Sequence, residues 1–411
     1  MRSGRHRSPH GRSDRIPSPG IARASTTTHR HIDNRGKTVP LELFFDLVFV
    51  FAITQVTALL AADLTWAGLG RGLAVLTLLW WAWVGYSWLG SAIDPEEGWL
   101  RAAFFAATAA MFVVALATHG AFGAAAATFA IAYFGVRMLQ LAVFLAVSAG
   151  EHEFRRSIWS MAPSFTVGPG LLIVAAFVRG PARGALWVAA IVVDLGGALL
   201  GGQSGWRLNP SHFAERHGLI VIIALGEAIV SVGVGLDGSV GVSGELVVVA
   251  VTVVAVAAAF WWAYFDVLAI VAERRLTELT GIERNEMARD SYSYLHFPLV
   301  AGIVLVALAA KETVHAPTHV LEAVPAAALG AGAALYFVTL SMLRWRNIGK
   351  VNVQRLVGAV VAAGVAVPLA RTVSGLVGLV AVALVFWTVI TYEAITRANV
   401  RHDVRHGDDH A

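Results

Sequence analysis

The sequence predicts an all-α membrane protein, a polytopic helix bundle with about twelve transmembrane helices. Two observations carry that prediction. The 411 residues are 57% hydrophobic and only 14% charged, whereas a soluble domain would hold about 25% charged residues. Apolar runs long enough to cross a bilayer also recur along almost the whole chain.

Runs of roughly 17–26 residues place the spans at 41–62, 72–92, 100–118, 123–148, 158–178, 184–202, 217–236, 246–271, 292–311, 324–343, 355–371 and 376–396. The first opens at Val39-Pro40, with proline suited to a first helical position. The second carries Trp80-Trp81-Ala82-Trp83 and the eighth Trp261-Trp262-Ala263-Tyr264. The fourth holds Ala132-Tyr133-Phe134 where the tenth holds Leu335-Tyr336-Phe337. These matches point to two six-helix halves, 39–202 and 203–398, related as a parallel repeat. Chance recurrence of aromatic residues is the rival reading. Gly197, Gly201 and Gly205 recur every four residues, a spacing that lets helices approach closely.

Residues 1–38 are rich in Arg, Ser, His, Gly and Pro and read as a disordered basic cytoplasmic tail near anionic headgroups. Residues 399–411 form a second polar cytoplasmic tail. No apolar stretch close to the first arginines makes a signal peptide. Nor do aromatic residues interleave there to stack bases, so no nucleic-acid partner is expected. With the N-terminus placed inside, 25 of the 31 basic residues fall on the cytoplasmic side, 5 fall outside, and Arg137 lies within a span. That asymmetry puts both termini in the cytoplasm of a multi-pass cell-membrane protein. The chain has no cysteine, which excludes disulfides, zinc-thiolate sites and cysteine nucleophiles.

Charged groups inside the spans are the candidate functional residues, because an ionised side chain in hydrocarbon costs kilocalories. Glu42 and Asp46 stand four residues apart, on one face at the start of the first span. The helix dipole accounts for Glu42 better than for Asp46, and two carboxylates this close could share a proton. Glu227 lies near the midplane of the seventh span beside Gly226, and Ser231 follows one turn on. Arg137 and Asp194 have similar depth, so Arg137 needs Asp194 or Glu227 as its partner. Asp266, His296 and Asp46 could share one cytoplasmic layer, in which the histidine can titrate near neutral pH. The connection Asn209–His217 reads as a solvated loop. His212, Glu215 and His217 within it match no strong zinc template, so neither metal nor cofactor is expected.

Three separated segments resemble the bacterial low temperature requirement A (LtrA) family. They are Pro40–Ile53, Glu215-Arg216-His217-Gly218 through Leu225-Gly226-Glu227, and His296-Phe297-Pro298 through Gly302. The resemblance covers residues 38–398 and maps the family's shared residues onto Glu42, Asp46, Glu215, Arg216, His217, Glu227 and His296. Serine often follows the Gly-Glu pair in that family; Ala228 stands here. The resemblance implies a multi-span membrane protein linked by name to growth in the cold, and it supplies no reaction.

Nucleophile elbow, Walker loop, dinucleotide fingerprint and metalloprotease helix are all missing from the sequence, which weighs against an enzyme. The leading expectation is a secondary transporter of a small molecule or ion, with protons as a candidate coupling ion. Glu227 would exchange the proton, and Asp46 with His296 would form a cytoplasmic gate. The alternative is a membrane-embedded enzyme or sensor acting on lipid or an amphiphile at the cytoplasmic face.

Overall fold

The computed structural model describes residues 38–93, 98–234 and 243–406. Apart from Thr38, the expected basic tail lies outside the described residues, as do 94–97, 235–242 and 407–411. Among the described residues the regular structure is helical, and 12 segments are long and apolar enough to cross a membrane. Six come first: α1 (Pro40–Ala62), α2 (Trp66–Ala92), α3 (Gly98–Ala117), α4 (Ala126–Val147), α5 (His152–Phe177) and α6 (Pro181–Leu200). Next, α7 (Pro210–Val234) and α8 (Gly244–Phe265) are followed by the short α9 (Leu268–Glu278) and α10 (Gly281–Met287). A π-helical stretch, Ala288–Tyr294, leads into α11 (His296–His315). The remaining helices are α12 (Ala323–Ile348), α13 (Val353–Thr372), α14 (Gly375–Thr396) and α15 (Ala398–His406).

Local chemistry sets several helix ends. Pro40 begins α1, and the Val39 N–H donates back to the Glu42 carboxylate at 3.3 Å. Thr65, Ser243 and Ser374 cap α2, α8 and α14 by accepting a backbone N–H, and each such cap stabilises its helix by about 1 kcal/mol. Gly349 ends α12 at φ +68°, a conformation that suits glycine.

The expected spans differ from these helices mainly at their ends. The segment Asn209–His217, expected as a solvated loop, is instead the first turns of α7. Asn209 accepts the His212 N–H through Oδ1 at 3.3 Å, and Pro210 starts the helix, an arrangement that favours helix initiation. The eighth span breaks at Val267, where φ is −137°. Part of the expected C-terminal polar tail is helical: α15 is held where Arg274 donates to the Val404 carbonyl and Arg401 pairs with Asp266.

Neighbour relations follow the same order in the first and last six membrane segments. In the first, α1 packs on α2 and α3; then α3, α4, α5 and α6 pack in succession, and α6 returns to α2. In the last, α7 packs on α8 and α11; then α11, α12, α13 and α14 succeed one another, and α14 returns to α8. Contacts of α1 and α2 with α7 and α11 join these two sets. Every residue of α11 from Leu299 to Ala310 is buried, so this helix is enclosed on all sides. By contrast α6 and α13 turn Val188, Val192, Leu200, Val357 and Val360 outward, apolar surface suited to lipid.

The glycine spacing works as helix packing. A Cβ on Gly197 or Gly201 would overlap Ser164 or Met161 of α5. Between α11 and α12 the backbones meet at Gly302 and Gly332, where a Cβ on Gly332 would sit 2.6 Å from the Gly302 carbonyl oxygen. Gly332→Ala is therefore expected to cost about 1–3 kcal/mol, read as a lower melting temperature in detergent. An unchanged melting temperature would contradict this close approach.

Candidate functional site

Helices α1 and α7 run parallel and in register, and their first two turns form an ionic cluster. His212 Nε2 lies 2.6 Å from Glu42 Oε2, and Arg216 Nη2 donates to Asp46 Oδ1 at 2.6 Å. Both pairs are separated by 170 residues in sequence, as are the two helix-starting prolines, Pro40 and Pro210. Arg216 also donates through Nη1 to Glu42 Oε1 at 3.0 Å, so one guanidinium bridges both acids. The acids do not share a proton with each other; Arg216 stands between them. Glu42 and Arg216 are 0% exposed and Asp46 is 2% exposed. The expected membrane-rim acids are thus enclosed by protein.

Room for the cluster comes from α2. A Cβ on Gly90 would overlap Glu42 Oε1. Trp83 donates its indole N–H to Asp46 Oδ1 at 2.8 Å, and its ring packs edge-on against His217 at 4.9 Å. His217 Nδ1 is 2.8 Å from the Phe213 carbonyl; because a carbonyl only accepts, that nitrogen carries the proton. His296 follows the same logic: Nδ1 donates to the Ser291 carbonyl at 2.7 Å, and Nε2 faces the Tyr264 hydroxyl at 2.8 Å. The two histidine rings are 5.3 Å apart. Asp46 and His296 are therefore linked through Trp83 and His217 rather than in direct contact. Several buried polar atoms of this layer have no hydrogen-bond partner: Asp46 Oδ2, His212 Nδ1, Arg216 Nε, His217 Nε2 and Tyr292 Oη.

The π-helical stretch matters here because it turns backbone carbonyls toward neighbouring helices. Its Ser291 carbonyl orients His296, while Ser293 accepts the indole N–H groups of Trp80 and Trp88 through its carbonyl and hydroxyl.

Deeper along the same interface lies Glu227, about 16 Å beyond Arg216 at the helical rise of 1.5 Å per residue. Its carboxyl is 2.5 Å from the Thr54 hydroxyl of α1. Thr54 has one proton and also sits 3.1 Å from the Val50 carbonyl. Its hydroxyl donates to Glu227 Oε2, with the Val50 carbonyl as a second, more distant acceptor. Ser231 is buried, but its hydroxyl donates to the Ala228 carbonyl at 3.0 Å rather than to Glu227. Gly226 does leave room, since a Cβ there would meet nothing within 4 Å.

Arg137 finds its partner in Asp194, at 2.6 Å, and not in Glu227. Tyr133 also donates to Asp194, at 2.6 Å, and Arg137 donates to Gln140 at 2.5 Å. The guanidinium stacks over Phe165 at 4.3 Å. This second polar cluster lies between α4 and α6, separate from Glu227, so the three midplane charges do not form one site. It borders a cavity of about 60 Å³ walled by Trp81, Trp88, Trp206 and Phe144, room for a few waters. Arg137 Nε and Gln140 Nε2 are buried beside it without partners.

Asp266 leaves the expected layer altogether. It pairs with Arg401 at 2.8 Å and Arg405 at 3.4 Å. Glu215 is exposed and accepts the Thr38 N–H and hydroxyl, while His212 and His217 turn to other partners. Sequence reasoning missed Arg216 and His212 as partners of the first-span acids, and Thr54 as the partner of Glu227.

Fold and site define a multi-pass α-helical membrane protein with buried ionic clusters between helices. The chain belongs to the family described as bacterial low temperature requirement A protein (LtrA), whose model matches residues 37–391. It is also similar to an uncharacterized protein of Rhizobium meliloti (strain 1021), 27% identical over 277 residues, covering 65% of this chain and 67% of the relative. No solved structure matches.

Removing Arg216 alone leaves two buried acids facing each other. Arg216→Gln is expected to cost about 3–5 kcal/mol and to lower folded yield in detergent. The triple variant Glu42→Gln/Asp46→Asn/Arg216→Gln should recover most of it. If the triple variant is no better folded than the single one, the charge explanation fails.

Proposed function

We propose that this protein is a secondary transporter built from two parallel six-helix halves, with the α1–α7 seam as its moving interface. The observation that carries the proposal is the buried cluster Glu42–His212 and Asp46–Arg216. It ties together the leading helices of two sets that share one neighbour order. Ionic contacts at one end of a helix pair can separate and rehydrate when the helices rock apart, which gives the seam a second state. The basic-residue asymmetry supports a cytoplasmic orientation for this end, and in that orientation the cluster is a cytoplasmic gate.

Within that scheme Glu227 is the proton carrier. It lies on the seam behind the gate, buried at 3% exposure, with the Thr54 hydroxyl of α1 as its hydrogen-bond donor. Arg137 and Gln140 supply donors for an acceptor group on the substrate, at the aromatic-walled cavity.

The alternative, a membrane enzyme or sensor at the cytoplasmic face, draws less support. It relies on Asp46, Asp266 and His296 acting together, and Asp266 pairs elsewhere while Asp46 is enclosed.

Liposomes containing the purified protein and a pH-sensitive dye, challenged with a panel of small solutes, test this reading. Wild type should move protons with at least one solute. Glu227→Gln should abolish that flux while keeping the wild-type melting temperature. Proton movement persisting in the variant, or absent from wild type across the panel, would contradict it.

A further inference from the structure

At the end of the bundle where α1 and α7 begin, a second cavity lies between α8, α9, α12, α13, α14 and α15. It is larger than the one beside Arg137, at about 400 Å³, a size that suits a small ligand or a headgroup. Its lining is strongly basic. Arg344, Lys350, Arg355, Arg397 and Arg401 border it, against the two acids Asp266 and Glu393.

Those acids are already occupied. Glu393 is held by Arg355 at 2.9 Å and by the Asn352 amide at 2.5 Å. Asp266 is held by Arg401 and Arg405. Arg397 donates to Gln354 at 3.1 Å, a neutral partner. Among the described residues, neither Arg344 nor Lys350 has a hydrogen bond or ion pair, and both line the cavity together with Arg355 and Arg397. Helix ends supply some compensation, since α8, α12 and α14 each direct a C-terminal dipole of roughly half a negative charge here. The N-terminus of α13 opposes that by a similar amount. A positive excess remains after both corrections.

The walls are not uniformly polar. Trp262 lies under Arg401 at 5.2 Å, and Val271, Ile348 and Ile390 complete an apolar flank. A cluster of guanidinium groups beside apolar surface at a bilayer edge matches a ligand with a phosphate group. We propose that this cavity binds a phosphate-bearing group, either the headgroup of an anionic lipid or free phosphate. The site is separate from the α1–α7 seam and does not depend on transport.

Full-length protein reconstituted in nanodiscs of phosphatidylglycerol or of phosphatidylcholine tests the proposal, with retained lipid counted by native mass spectrometry. Wild type should keep at least one phosphatidylglycerol in preference to phosphatidylcholine. Arg344→Gln/Lys350→Gln removes two cations that hold no partner, so folding should survive. It should weaken that retention about thirtyfold, for two basic groups at the membrane surface. The control Arg155→Gln/Arg156→Gln alters two exposed arginines away from the cavity and should leave retention unchanged. Inorganic phosphate that raises the wild-type melting temperature, but not that of Arg344→Gln/Lys350→Gln, identifies free phosphate as the ligand. Lipid retention without that effect identifies the headgroup. Equal lipid retention by both double variants, or no preference for the anionic lipid, together with no phosphate response that depends on Arg344 and Lys350, would overturn the assignment.

Discussion

The guanidinium of Arg216, held between Glu42 and Asp46, is the contact on which the rest of the arrangement depends. Two carboxylates near the start of α1 cannot be enclosed without a cation. That cation has to come from a helix running alongside at the same depth. Pro40 and Pro210 start the two helices in matching register, and the register then delivers His212 to Glu42 and Arg216 to Asp46. Further along, the same alignment brings Glu227 against Thr54. One pairing of helices therefore fixes both the ionic cluster and the deep acid.

Helix α2 is the scaffold that keeps the polar clusters apart. Four of its tryptophans donate to three different elements: Trp83 to Asp46 on α1, Trp81 to the Asp194 carbonyl on α6, and Trp80 and Trp88 to the π-helical stretch. Its glycines clear space on opposite sides, Gly90 for Glu42 and Gly85 for Gln140. Tyr86 spans both regions, accepting from Arg216 through its carbonyl and donating to the Val136 carbonyl of α4. Indole and amide donors satisfy buried acceptors without adding charge, which suits a segment deep in a membrane.

The membrane spans were legible because length and hydropathy alone decide them. The anomalous acids were legible too, since a carboxylate in an apolar run stands out. Their partner was not. Arg216 follows a proline within a polar stretch, so it reads as one more basic residue in a cytoplasmic loop. The Asn209-Pro210 pair, a helix-start signature, was the available signal. The α1–α7 relation escaped a search for similar residues because Glu42 and Asp46 face His212 and Arg216, which are complementary rather than alike. Asp266 was misplaced for a different reason. Depth along a helix predicts a layer but not a direction, and the break at Val267 turns this residue toward α15.

In the proposed transport cycle the two six-helix sets separate at the end where α1 and α7 begin. Because the chain has no cysteine, spin labels can be placed at Trp159→Cys on α5 and Trp345→Cys on α12, both exposed in wild type. Pulsed electron–electron resonance in liposomes would then report the distance between the sets. Two distance populations are expected, with Asp46→Asn shifting weight to the longer one. A single distance, unchanged by Asp46→Asn in folded protein, would contradict it.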